Sequence, residues 1–141
     1  MSTWLLPRSE LTPEQLRAIE LPHTQHQVVF GAPGSGKTQI LLHRAAELSR
    51  RLHAQPGGYR IFVYTNVLKN YIRSALDLLE LPENVVMTFD DWCKTFHEKH
   101  IGHRLPWDFE NRRPDFEAIR RAVAHKIATN TVPMPLYDFV L

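Results

Sequence analysis

Cysteine is almost missing from this chain: Cys93 is the single one in 141 residues, which excludes an internal disulfide and suits a reducing compartment. Long apolar runs are missing too. No stretch approaches the ~18 consecutive apolar residues of a membrane span, and residues 1–11 have neither a basic leader nor a sustained apolar core. The expectation is a cytoplasmic protein. Excess charge of one sign is small, with 17 Lys and Arg against 15 Asp and Glu, a net +2 and a pI near 8.9. That balance is compatible with a nucleic-acid partner without demanding one. Neither an N-K-x-D base-reading segment nor a D-x-x-G switch occurs, which argues against a GTPase. What is present, 43% apolar and 23% charged residues, is ordinary for about one globular domain with a real core.

Against this background one stretch stands out. Gly31-Ala32-Pro33-Gly34-Ser35-Gly36-Lys37-Thr38 matches G-x-x-x-x-G-K-[ST] at every fixed position. Glycines at these places allow backbone angles closed to other residues, so successive N–H groups can curl around a phosphate. Lys37 supplies a charge for the β- and γ-phosphates, Thr38 a hydroxyl for Mg²⁺, and the N-terminus of a following helix a partial positive charge. The flanks have the right order. Gln27-Val-Val-Phe30 is a β-prone apolar run, and Leu41, Ala45, Leu48 and Leu52 recur at helical steps behind the loop.

Upstream, Leu11-Thr-Pro-Glu-Gln15 predicts a helix start with Thr12 as N-cap, Pro13 at the first position and Gln15 closing a capping box, turning Leu16 and Ile19 inward. Downstream, Gln55-Pro-Gly-Gly58 breaks the chain before a second strand at Arg60–Thr65. A helix over residues 67–79 carries an apolar stripe from Leu68 to Leu79, with Lys69 and Arg73 on its polar face. A third strand is expected at Val85–Phe89, with Asp90 as N-cap of the next helix. Cys93, His97 and His100 share that helix at steps that would bring soft ligands to one face, but no second Cys/His pair completes a familiar zinc pattern. Residues 102–114 read as irregular, with Trp107 and Phe109 closing over a small cluster. Residues 114–129 read as an amphipathic helix with a Glu117–Arg121 pair, and Leu136–Leu141 as the opening of a fourth strand after Pro133 and Pro135. Alternating strands and helices imply an α/β fold, a parallel sheet with helices on its faces.

Together these residues resemble the first motor domain of the UvrD/Rep-like superfamily 1 DNA helicases. The resemblance implies a partial RecA-like P-loop NTPase domain over residues 1–141, with residues 93–133 as a small, mostly helical inserted subdomain. Leu11–Ala18 is similar to the family's Q motif, so that Gln15 would face the adenine edge of ATP. Residues 31–38 are similar to its Walker A segment. Tyr64-Thr65-Asn66 is similar to the motif that touches single-stranded DNA, with Tyr64 where a ring can stack on a base and Lys69 one turn onward. Thr88-Phe89 resembles the T-F-H-S segment, with Asp90 in place of the His. The strand at Tyr137–Leu141 is similar to the one leading into Walker B. Asp138 cannot act for that acid, since it precedes the apolar residues rather than following them.

The resemblance thus implies ATP and Mg²⁺ as cofactors and single-stranded DNA as partner, with half an ATP site that needs the rest of a motor for turnover. A small P-loop kinase shares the loop, but no Arg-rich lid occurs late in the chain, and Gln15 and Tyr64–Asn66 would be unexplained. A non-catalytic nucleotide-dependent interaction module is the third alternative.

Overall fold

A computed structural model describes residues 4–55, 57–129, 132–133 and 136–141. Pro56, within the expected break at Gln55–Gly58, and Pro135, before the expected fourth strand, lie outside them.

The central strand, β1 (Tyr59–Val63), alternates in burial because successive side chains point to opposite faces. Tyr59, Ile61 and Val63 enter one core cluster, and Phe62 packs against another. A strand apolar on both faces must be covered on both, and it is. On the first face lie α2 (Lys37–Arg51), through Leu42 and Ala45, and α3 (Asn66–Leu76), through Ile72, Ala75 and Leu76. On the second lie α4 (Phe89–His100), through Trp92, Cys93 and Phe96, and α5 (Phe116–Ala128), through Ile119 and Val123.

Two further strands flank β1 in parallel. β2 (Val86–Thr88) registers Ile61 opposite Val86, and β5 (Phe139–Val140) registers Tyr59 opposite Phe139, giving the order β2-β1-β5. The rings of Tyr59 and Phe139 stack at 4.7 Å across that pair, and Leu141 extends it by donating to Arg60 O and accepting from Phe62 N. The α/β architecture, a parallel sheet with helices on its faces, is as the alternation of elements implied.

Three local expectations are corrected. Residues 27–30 are not a strand: Val28 is 72% and Phe30 89% exposed, and no ladder partner lies beside them among the described residues. A β-prone sequence becomes a strand only where a neighbour supplies hydrogen bonds. Here His23–Gln27 and Leu136–Leu141 instead share the lining of a cavity of about 750 Å³. Residues 107–114 are not an irregular cover but a hairpin, β3 (Trp107–Asp108) antiparallel to β4 (Arg113–Pro114). Its turn is closed by Asp108, whose carboxylate accepts from the backbone and side-chain nitrogens of Asn111, and those bonds hold the carboxyl below its ordinary pKa. Trp107 and Phe109 close over nothing, at 47% and 82% exposure. Asp90, finally, is not an N-cap. Thr88 caps α4, its Oγ1 accepting from Asp91 N at 3.1 Å, while Asp90 lies inside the first turn and pairs with Arg120 at 2.6 Å.

Among the described residues no helix is long and apolar enough to cross a membrane.

Candidate nucleotide and nucleic-acid site

The site begins at α1 (Pro13–Ile19), whose start follows from three residues. Thr12 Oγ1 accepts from Gln15 N at 3.1 Å, Thr12 N donates to Gln15 Oε1 at 2.9 Å, and Pro13 takes the first helical position, where no N–H is needed. Gln15 has a second partner. Its Nε2 donates to Ser35 O at 3.4 Å, inside the glycine-rich loop. One amide side chain therefore closes the cap of α1 and touches the loop.

The loop itself requires its glycines for distinct reasons. Gly36, the N-cap of α2, has φ +88°, and a Cβ there would collide with Gln15 Nε2. Gly34 has φ +79° with open space around it, so its constraint is the left-handed backbone alone. A Cβ on Gly31 would collide with Ser35 Oγ. Inside the loop Ser35 N donates to Ala32 O at 3.1 Å. Among the described residues no acceptor takes the N–H groups of Gly34, Gly36, Lys37 or Thr38. These are the unsatisfied donors expected at a helix start, and they make a nest for an anion.

Lys37 folds back onto the loop. Its Nζ donates to Gly31 O at 2.6 Å and Ala32 O at 2.9 Å, so the ammonium is held against the loop's own carbonyls. Thr38 is half-buried in the first turn of α2. A cradle whose size is set by absent Cβ atoms, free N–H groups and one seated cation fits a phosphate tail. Gln15, Gly31 to Gly36, Lys37 and Thr38 are thus brought into one place.

The second group of residues lies at the C-terminal end of β1. Tyr64 is 91% exposed, its ring open to a flat partner. Thr65 is the N-cap of α3, its Oγ1 accepting from Leu68 N at 3.1 Å, and Asn66 follows exposed at the first helical position. Lys69 is half-buried one turn on, its N–H bonded to Thr65 O. Tyr64 also borders a cavity of about 380 Å³ together with Asp90, Arg113, Phe116 and Arg120.

Cys93, His97 and His100 are not assembled for a metal. Cys93 is in the core, its thiol pushed up to about 11 by burial, with the charge of Asp90 adding and that of Arg120 opposing. His97 Nδ1 is bonded to Gly102 O at 2.9 Å, and the His100 ring lies on Phe96 at 4.6 Å. Among the described residues no three His, Cys, Asp or Glu side chains could share an ion.

Sequence reading missed the groups that hold this site in place. Gln39, on α2, accepts from Leu6 N at 2.9 Å and donates to Trp4 O at 2.6 Å, and His43 Nε2 meets Leu6 O at 2.8 Å. Arg44, 7% exposed, hydrogen-bonds four backbone carbonyls at the end of α1 and just beyond it. Backbone acceptors leave no mark in a sequence, and a lone Arg between apolar residues reads as solvated.

Comparison with known proteins agrees with this geometry. The family model of the UvrD/REP helicase N-terminal domain matches residues 11–135. This chain belongs to that family. A relative in Schizosaccharomyces pombe, the ATP-dependent DNA helicase srs2, is 30% identical over 118 residues, covering 79% of this chain and 13% of the relative. DNA helicase II of Haemophilus influenzae is 32% identical over 95 residues, 67% of this chain and 13% of the relative. The ATP-dependent DNA helicase PcrA of Bacillus subtilis is 32% identical over 91 residues, 63% of this chain and 11% of the relative. This UvrD/REP helicase domain therefore spans about an eighth of the length of the relatives it matches. The match begins at Leu11, where the α1 cap begins, and takes in the loop, β1, α3, both helices of the second face and the hairpin.

Proposed function

We propose that this chain is the nucleotide-binding part of the first motor domain of a superfamily 1 DNA helicase, working in the cytoplasm, where a buried free thiol stays reduced. It takes ATP with Mg²⁺ at Gly31–Thr38, with Gln15 facing the adenine, and single-stranded DNA at Tyr64, Thr65, Asn66 and Lys69. Residues 93–133 form its small inserted subdomain. The observation that carries this reading is the contact of Gln15 with the loop over which Lys37 is seated. An amide side chain beside a phosphate nest suits a nucleoside triphosphate better than a bare anion.

In this reading the loop N–H groups and Lys37 would hold the triphosphate, and Thr38 would offer its hydroxyl to Mg²⁺, which would supply charge neutralisation to the phosphates. Tyr64 stacks on a base and contributes no sequence preference. Two of the chain's own acids are engaged elsewhere. Asp138 sits at the N-terminal ends of the strands, its Oδ2 2.8 Å from where a Cβ of Gly58 would lie, whereas ligands of open α/β sheets bind outside the carboxyl ends. Asp90 is committed to Arg120. Hydrolysis needs an oriented water and countercharge on the transferring group, and the rest of the motor would supply both. Membership in the helicase family leaves the kinase alternative without support.

Phosphate release by the chain, with and without single-stranded DNA and with small phosphoryl acceptors, tests this. Binding of ATP and DNA without turnover is the expected result. Steady turnover abolished by Lys37→Ala would contradict the half-site reading, and phosphorylation of an acceptor would revive the kinase.

A further inference from the structure

Arg44 is a buried cation without a carboxylate. Among the described residues its guanidinium makes no ion pair. Nη1 instead donates to Ile19 O at 3.0 Å, Leu21 O at 2.9 Å and Ala18 O at 3.4 Å, and Nη2 to Pro22 O at 3.2 Å. Burial, and second the charge of Arg51, lower its pKa. Holding a charge there is costly unless every donor is used. An apolar side chain of similar length would fill the same space, so packing alone does not call for a guanidinium.

The direction of these bonds gives the reason. α1 has seven residues, two turns, and a helix that short has no stability of its own; its position is whatever its anchors dictate. One anchor is apolar: Ile19 packs on Ile40 and Leu11. Apolar contact is non-directional and tolerates sliding, whereas a planar fork bonded to two carbonyls of the helix's last turn and two just beyond it fixes a helix end along its axis and in rotation. Arg44 grips the C-terminal carbonyls of α1 from α2, roughly 10 Å along the helix from Lys37. Gln15 lies one turn before the gripped end and meets the loop that opens α2. The cap, the amide, the loop and the clamp form a closed ring through two helices.

Building on the reading of Gln15 as the adenine-facing amide, we propose that Arg44 is the positioning residue that sets Gln15 against the phosphate loop, and hence sets the preference for an adenine nucleotide over a bare polyphosphate. It touches no ligand; it acts through α1. A residue needed only for folding would weaken every ligand alike. A positioning residue changes the ratio between a ligand that carries adenine and one that does not.

The test is the ratio of affinities for ATP and inorganic tripolyphosphate, each with Mg²⁺, by calorimetry on the chain as it is and on Gln15→Ala, Arg44→Met and Arg44→Lys, each checked for folding by circular dichroism. Gln15→Ala should lower the ratio by about threefold to tenfold, the worth of one such hydrogen bond. Arg44→Met should lower it as far, with tripolyphosphate affinity unchanged. Arg44→Lys, which keeps the charge but not the fork, should also lower it and serves if the methionine variant fails to fold. A wild-type chain without preference, or a Gln15→Ala variant that keeps it, removes the adenine reading and the proposal with it. Loss in Gln15→Ala together with an unchanged ratio in the folded Arg44 variants overturns the role of Arg44 alone.

Discussion

Glu47 on α2 shows how single residues set the balance of this molecule. Its carboxylate is 10% exposed and meets Arg8 at 3.3 Å, Arg51 at 3.1 Å and the guanidinium of Arg50. Burial pushes its pKa up, but the hydrogen bonds of Arg50 and Arg51, with the charges of Arg50 and Arg8, outweigh burial, and the net shift is downward. A carboxyl whose folded pKa is depressed contributes stability above its unfolded value, about 4.3, and loses that contribution as pH falls through the folded value. Since its partners are partly solvated, the contribution is about 1 kcal/mol. Glu47→Gln should therefore lower the midpoint of thermal unfolding at pH 7, and the gap to wild type should close below about pH 4. A gap that persists undiminished at pH 3, followed by circular dichroism, would show that packing rather than charge is responsible. Among residues, those with local rules were legible in sequence: Thr12, Pro13 and Gln15 declare a cap, and Gly31 to Thr38 a loop. Arg44 was not, because its partners are carbonyls brought near by tertiary packing.

At the scale of elements, legibility follows the range of the forces. α2 and α5 are specified by their own apolar periodicity, and the Glu117–Arg121 pair of α5 forms as its spacing implies, at 2.9 Å. β1 was legible because its β-branched and aromatic residues find neighbours on both edges. Residues 27–30 carry similar residues and find none among the described residues, so they stay out of the sheet. The hairpin of β3 and β4 had no turn signature to reveal it: Arg112 takes φ +53° where Gly or Asn would be the usual choice. The junction of β1 and α3 combines a cap and an exposed ring, and these separate cleanly. Tyr64→Ala removes a ring that is 91% exposed and leaves the Thr65 cap intact, so stability should not change. Affinity for single-stranded DNA should fall by about 1–3 kcal/mol, with binding that weakens as salt rises. A fluorescence titration at low salt that finds the variant as tight as wild type would take this surface out of the nucleic-acid path.

For the whole molecule, the parallel sheet is covered on both faces. One face rests on α2 and α3, the helices that begin at the phosphate loop and at Tyr64–Asn66; the other rests on α4 and α5. Both proposed sites stand at the starts of helices on that first face, the arrangement that the proposed coupling of nucleotide to DNA would use. That arrangement has its function only if the loop holds a triphosphate, and the loop's cation is the group to remove. Calorimetric titration of Mg²⁺-ATP into the chain and into Lys37→Ala measures this directly. The account predicts weak binding by the chain, since on the proposed reading the loop and Thr38 hold only part of the site. It predicts a loss of tenfold or more in the variant, because Nζ makes charge-assisted bonds worth about 1.5–3 kcal/mol. Equal affinity in the two proteins would contradict it and place the nucleotide, if one binds at all, away from Gly31–Thr38.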